Sequence, residues 1–201
     1  DQRVAVITGT GDAAFSSGAD VAKLPELWRC IPTVGITTEK PVIAAVGGWC
    51  VGGALVLAMM CDLLVAADNA KFSYPEAKLG FTGGLIAGLA ARIPHKIAME
   101  MIMLCKVIDA QRAYDVGLVN EIVPTGQQVD RALAMGREIA TFSPLVLKTL
   151  KRFIVNNILA QGPSEKMGHA MVALGAVRES EDGREAALAS REKRAPVYKG
   201  R

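Results

Sequence analysis

Short apolar runs alternate with glycine-rich loops as far as about residue 125, and helical stripes take over after that. Val42–Val46 (VIAAV) is bounded by Pro41 and Gly47, and Leu63–Ala67 (LLVAA) has the same character. Near-continuous apolar runs of this length suit strands buried on both faces. Residues 3–8 (RVAVIT) read as a third such strand, and Ser73-Tyr74-Pro75-Glu76 places a carboxylate just after a fourth, shorter one. Residues 54–61 carry no charge before Asp62, as expected of a helix buried on most sides. Residues 85–93 predict an apolar helix ended by Pro94, which also suits the first turn of a helix over 95–104. Asp109 caps a short helix over 110–116, closed by Gly117, and 118–123 returns as an extended segment.

From Gln127 onward only helices are predicted. Val129, Ala132, Leu133, Gly136 and Ile139 form one stripe, and Val146, Leu147, Leu150, Phe153 and Ile154 a second. Met167, Ala170, Met171, Leu174 and Val177 form a third, whose methionines read as core rather than ligands. His169 beside it reads as a surface residue, and His95 as an exposed helix start. The charged end of the chain is a solvated face or a surface for an anionic group. Residues 21–39 are poorly patterned, with Pro25, Pro32 and Gly35 as breakers, and suit a mobile lid in which Leu27 and Trp28 pack on something.

Candidate chemistry centres on the glycines. Gly47-Gly48 and Gly52-Gly53 bracket a loop, and a helix that starts at such a pair presents free backbone N–H groups and a positive dipole end. That arrangement stabilises an oxyanion or binds a phosphate. Gly53-Ala54-Leu55 lacks the Lys-Ser/Thr of a phosphate loop, which favours the oxyanion. Tight helix–strand packing at glycines is the plain structural alternative. Gly18-Ala19-Asp20 is a second tight turn with exposed N–H groups. Glu76 follows an apolar strand and adjoins a glycine-rich loop at 80–84. In an apolar cleft it serves as a general base; at a helix start it merely complements the dipole.

Two dinucleotide patterns compete with these. Gly9-Thr10-Gly11-Asp12-Ala13-Ala14 fits GxGxxA after a strand but needs a helix next, and residues 15–20 offer no apolar helical face. Tyr74 and Lys78 match the YxxxK of short-chain oxidoreductases, which needs both on one helix face, and Pro75 permits this only if Tyr74 is the cap. There is no GxSxG, so a hydrolase elbow is unsupported.

Composition narrows the classes further. Of 201 residues 51% are hydrophobic, enough for one good core, and a net charge of +3 with scattered basic residues argues against nucleic acid. No apolar run is long enough to span a bilayer, and the opening Asp-Gln-Arg leads straight into a strand rather than a signal peptide. The four cysteines form no CxxC pair, and the two histidines lie far apart. The sequence therefore predicts reduced thiols, a cytoplasmic location and no metal.

Several segments taken together resemble the crotonase superfamily, the enoyl-CoA hydratases and isomerases. They are Phe15-Ser-Ser-Gly-Ala-Asp20, Lys40-Pro-Val-Ile-Ala-Ala-Val46, Gly52-Gly53 with Ala58-Met-Met-Cys-Asp62, and Tyr74-Pro-Glu76. Ala110-Gln-Arg-Ala113 with Gly117-Leu-Val119, and Glu185-Ala-Ala-Leu with Glu192-Lys-Arg and Pro196-Val-Tyr, extend the match nearly end to end in the family's order. The resemblance implies an α/β fold, a spiral of ββα units over 1–125, followed by a helical trimerisation region over 126–201. It implies an acyl-CoA thioester substrate, with coenzyme A entering as part of the substrate rather than as a cofactor, and a homotrimer or dimer of trimers. By position, the N–H groups of Ala19 and Gly53 form an oxyanion hole, and Ser17, Gly18 and Asp20 flank the coenzyme. Glu76 matches the second of the two glutamates of the hydratases. The first is replaced by Val56, which cannot move a proton. The family's first ββα turn precedes the position of Asp1, and the segment between Asp20 and Lys40 is short for the family. Single-acid chemistry such as isomerisation is physically easier here than hydration. An acyl-CoA-binding paralogue without turnover and an NAD(P) oxidoreductase are the alternatives.

Overall fold

The computed structural model describes residues 2–20, 22–23 and 26–201. The chain alternates between two four-stranded sheets. One is ordered β1-β3-β5-β8: Ala5–Thr8, Val42–Val46, Leu63–Ala67 and Glu121–Val123. The other is ordered β2-β4-β6-β7: Ala14–Ser16, Trp49–Val51, Lys71–Ser73 and Ile108–Asp109. All neighbours are parallel except β6 and β7. Through β6 each turn lays one strand in the first sheet and the next in the second; β7 stays in the second sheet before β8 returns to the first. The β3 strand goes to β4 and on to α1 (Gly53–Met59); β5 goes to β6 and on to α2 (Glu76–Leu79). The ββα spiral expected from the resemblance is therefore present.

Burial explains why β3 and β5 read as unbroken apolar runs. In β3 all five residues are buried. Ile43 and Ala45, with Val65 of β5, face α5 (Gln128–Ile139) and its Ala132. Ala44, Val46, Leu64 and Ala66 point the other way, into the main core with Leu55, Val56 and Phe72. A strand covered on both faces has no polar side to show.

The remaining elements depart from the sequence reading in instructive ways. The apolar helix expected over residues 85–93 is present as a 3₁₀ helix, Leu85–Ala91. The next helix, α3, covers His95–Met103 with Pro94 at its cap. Asp109 caps α4 (Ala110–Asp115) as expected, its Oδ1 accepting the Arg112 N–H at 2.8 Å. Helices α6 (Pro144–Phe153), α7 (Pro163–Glu179) and α8 (Glu181–Glu192) complete the chain, α6 running on as a π-turn, Ile154–Ile158. Lys151 ties α6 to the sheet, its Nζ donating to Asp62 Oδ2 at 2.7 Å and to the Lys40 carbonyl at 2.8 Å.

The third predicted stripe is not core within one chain. Met167, Leu174 and Val177 are exposed, and α6 buries no residue at all. The methionines that do pack inside are Met59, Met60 and Met101. His169 is half-buried rather than on the surface, with its Nε2 2.6 Å from the Thr33 carbonyl oxygen. The charged tail turns back on its own helix: Glu185 and Glu192 pair with Arg194, and Glu181 with Arg201. All four cysteines are free, and burial pushes the Cys61 thiol up to about 12.

Part of the predicted lid is held firmly. Trp28, in the 3₁₀ turn Leu27–Cys30, is buried, and Gly168 of α7 comes up against it and Val34. Val21 and the breaker Pro25 lie outside the described residues.

Candidate active site

Strands β2, β4 and β6 are adjacent and parallel, so the segments that follow them emerge at one edge of their sheet. Ligands of open parallel sheets bind beyond the carboxyl ends of the strands. Ser17-Gly18-Ala19 follows β2, Gly52-Gly53 follows β4, and Tyr74-Pro75-Glu76 follows β6. All three line one cavity of about 220 Å³, together with Leu27, Val51, Val56, Phe81 and Leu85.

Hydrogen-bond accounting sorts the amides. Gly18 N–H donates to Ser16 Oγ at 3.2 Å, and Gly52 N–H to the Ser73 carbonyl at 2.9 Å. Among the described residues, Ala19 N–H and Gly53 N–H donate to nothing. The two turns that carry them touch. A Cβ built on Gly53 would lie 3.7 Å from the Ala19 nitrogen, and one built on Gly18 would lie 3.6 Å from the Gly53 nitrogen. Two unspent donors on touching turns in one apolar cavity match what an oxyanion needs.

Gly52 is the position where the backbone requires glycine. Its φ of 59° lies in the left-handed region, and a Cβ there would sit 2.6 Å from Glu76 Oε1. The carboxylate is thus seated directly against the loop that leads into α1. Glu76 itself is only 6% exposed, and among the described residues no hydrogen-bond partner reaches its Oε2. Burial pushes its carboxyl above the ordinary value of 4.5, partly offset by its own backbone N–H. Such a group exchanges a proton more readily near neutral pH than an exposed glutamate does.

Not every expected residue arrives. Asp20 lies outside the cavity lining; its Oδ1 accepts the Ala22 N–H at 2.9 Å and shapes the turn. Of the aromatics, Phe81 lines the cavity, while Trp49 faces solvent beneath Lys71 and Trp28 sits in the core. Val56, which the resemblance sets at the place of the first hydratase glutamate, is 1% exposed and forms part of the wall. The dinucleotide readings lose their geometry. Residues 9–14 lead into β2 instead of a helix, and Tyr74 lies before Pro75, the cap of α2, so it shares no helix face with Lys78. Two lining features escaped sequence reading: Leu27, which reaches Gly53, and a hydrogen bond of 2.8 Å between the Tyr74 and Thr82 hydroxyls. The only hint of the second was Tyr74 standing two residues before Glu76.

A family model described as enoyl-CoA hydratase/isomerase matches residues 1–201. The chain belongs to the enoyl-CoA hydratase/isomerase family. Among curated relatives of this family, (E)-benzylidenesuccinyl-CoA hydratase of Thauera aromatica is 33% identical over 216 residues, covering 100% of this chain and 82% of that protein. Carnitinyl-CoA dehydratase of Citrobacter koseri is 35% identical over 218 residues, covering 99% and 82%. The crystal structure of a carnitinyl-CoA hydratase from Mycobacterium avium superposes with a TM-score of 0.72 at 33% identity, covering 99% of this chain and 82% of that one. The architecture is therefore the crotonase-type α/β spiral, and these relatives are lyases by name.

Proposed function

We propose that the protein acts on an unsaturated acyl-CoA thioester through an enolate held by the Ala19 and Gly53 N–H groups, with Glu76 as acid/base. One observation carries the reading: a buried carboxylate with an unpartnered oxygen shares a small apolar cavity with two touching turns whose amides are unspent. A thioester α-proton is hard to remove because charge builds on the carbonyl oxygen. A preorganised donor aimed at that oxygen is worth about 10²–10³ in rate. The Ser17–Gly18 backbone lies beside the coenzyme's adenine. Coenzyme A comes and goes with the substrate.

With Val56 in the wall, Glu76 moves every proton. In isomerisation it takes a proton from C2 of a 3-enoyl ester and returns one to C4 of the dienolate, which shifts the double bond to C2–C3. Hydration asks more of it: the same carboxyl takes a proton from water as oxygen bonds to C3, then delivers a proton to C2. The names of the relatives favour the lyase direction, and the single carboxylate favours isomerisation.

Purified protein with 2-enoyl-CoA and 3-enoyl-CoA esters decides between them. Turnover of at least one ester should fall by about 10²–10⁴ in Glu76→Gln. Fast hydration that survives this substitution overturns the assignment. Val56 also supports a second reading, an acyl-CoA-binding paralogue. That reading expects ester binding without turnover of any ester, and an affinity that Glu76→Gln leaves unchanged.

The apolar faces of α6 and α7 support assembly as a homotrimer or a dimer of trimers. Leu145 of α6 and Val177 of α7 keep 70% and 69% of their surface exposed in the single chain, a heavy cost to leave in water.

A further inference from the structure

Tyr74 and Thr82 stand on the wall of the Glu76 cavity, and among the described lining residues only they, Ser17 and Glu76 have polar side chains. Tyr74 is buried and Thr82 sits at the exposed rim. Their hydroxyl oxygens lie 2.8 Å apart, and Thr82 Oγ1 also accepts the Gly84 N–H at 3.1 Å.

Counting hydrogens gives a definite result. A hydroxyl has one donor hydrogen and two acceptor positions. If Tyr74 donates to Thr82, both acceptor positions of Thr82 are filled and its own hydrogen is left over. If Thr82 donates to Tyr74, the phenolic hydrogen is left over. Either way one hydrogen of the pair has no protein acceptor among the described residues. The nearby acceptor within the cavity, Glu76 Oε2, has no hydrogen-bond partner and so does not take it. Burial pushes the Tyr74 phenol up from its ordinary value, so the pair keeps both protons at neutral pH. Leu27, Val51, Val56, Leu79, Phe81 and Leu85 make the rest of the wall largely apolar.

We infer that the Tyr74–Thr82 pair is a hydroxyl-donor subsite selecting acyl chains with an oxygen substituent beyond the β-carbon over plain hydrocarbon chains. The inference rests on the acyl-CoA reading above and names the class of acyl group. One neutral hydrogen bond discriminates by about three- to tenfold. Each single substitution leaves the other hydroxyl with its hydrogen, so only removal of both abolishes the donor.

Calorimetric titration with hexanoyl-CoA, 4-oxohexanoyl-CoA and 5-oxohexanoyl-CoA tests this. The esters have equal chain length, and each ketone only accepts hydrogen bonds. At least one keto ester should bind the native protein about three- to tenfold more tightly than hexanoyl-CoA. In Tyr74→Phe/Thr82→Val that advantage should vanish, while hexanoyl-CoA binds within about twofold of native. The subsite is overturned if neither keto ester gains over hexanoyl-CoA in the native protein, or if the gain survives in the double variant. The native comparison stands alone if the double variant fails to fold. Failure of every ester to bind overturns the acyl-CoA reading, and the subsite with it. Binding of hexanoyl-CoA without a keto preference overturns the subsite alone.

Discussion

Glu76 is costly to the fold, and the sign of that cost is testable. A carboxyl whose folded value lies above its unfolded one is less easily ionised in the native state. The native state then binds more protons than the unfolded chain across the interval between the two values, and stability falls as pH rises through it. The penalty is complete only once pH has passed the folded value. Glu76→Gln removes the charge and keeps the shape, so the variant should melt above the native protein at neutral pH. The difference should shrink as pH falls toward the ordinary carboxylate range. Melting curves across that range check this, and a variant that melts lower at neutral pH contradicts it. The catalytic candidate was legible because its neighbours are: Gly52-Gly53 and Pro75-Glu76 are local signals. The Tyr74–Thr82 bond and the approach of Leu27 to Gly53 were not legible. Each joins residues from different loops, and no pattern along the chain records that they meet.

At the scale of elements, sequence reading succeeded where burial is two-sided and failed where it depends on neighbours. The strands β3 and β5 and the charge-free helix α1 announce themselves because nothing polar fits there. The 3₁₀ segment Leu85–Ala91 carries the same apolar content as an α-helix, so composition does not separate the two. Helix α7 shows how a single position decides packing. A Cβ on Gly168 would overlap Val34 Cγ1, whereas one on Gly175 would meet nothing. Gly168→Val should therefore cost about 1–3 kcal/mol through overpacking against the Trp28 segment. Gly175→Ala on the same helix should gain up to about 1 kcal/mol. Denaturant titration of the pair checks this; equal effects would mean that α7 is not held through Gly168.

For the whole molecule, the exposed stripes of α6 and α7 are the main part of the sequence pattern that one chain does not consume. Periodicity identified them as apolar faces but not what covers them. If copies of this chain do, light scattering should give about three or six times the 21.2 kDa of one chain at micromolar concentration. Leu150→Glu/Phe153→Glu should reduce the mass to a single chain, since both side chains are about half exposed on α6 and burying two charges in an apolar contact is prohibitive. A native protein that is already a single chain contradicts the proposed assembly.

The pairing of β2 with β4 carries a further consequence. Ala14 stands opposite Trp49, yet Ser16 stands opposite Cys50, so two steps on one strand answer one step on the other. The surplus residue acts as a spacer. It fixes how far the chain has run before it turns at Gly18, and hence which amide ends up beside Gly53. Deleting one residue there would straighten the ladder and bring a different peptide group beside Gly53. Side chains of the cavity's walls can change without moving that amide, whereas the miscount sets its place.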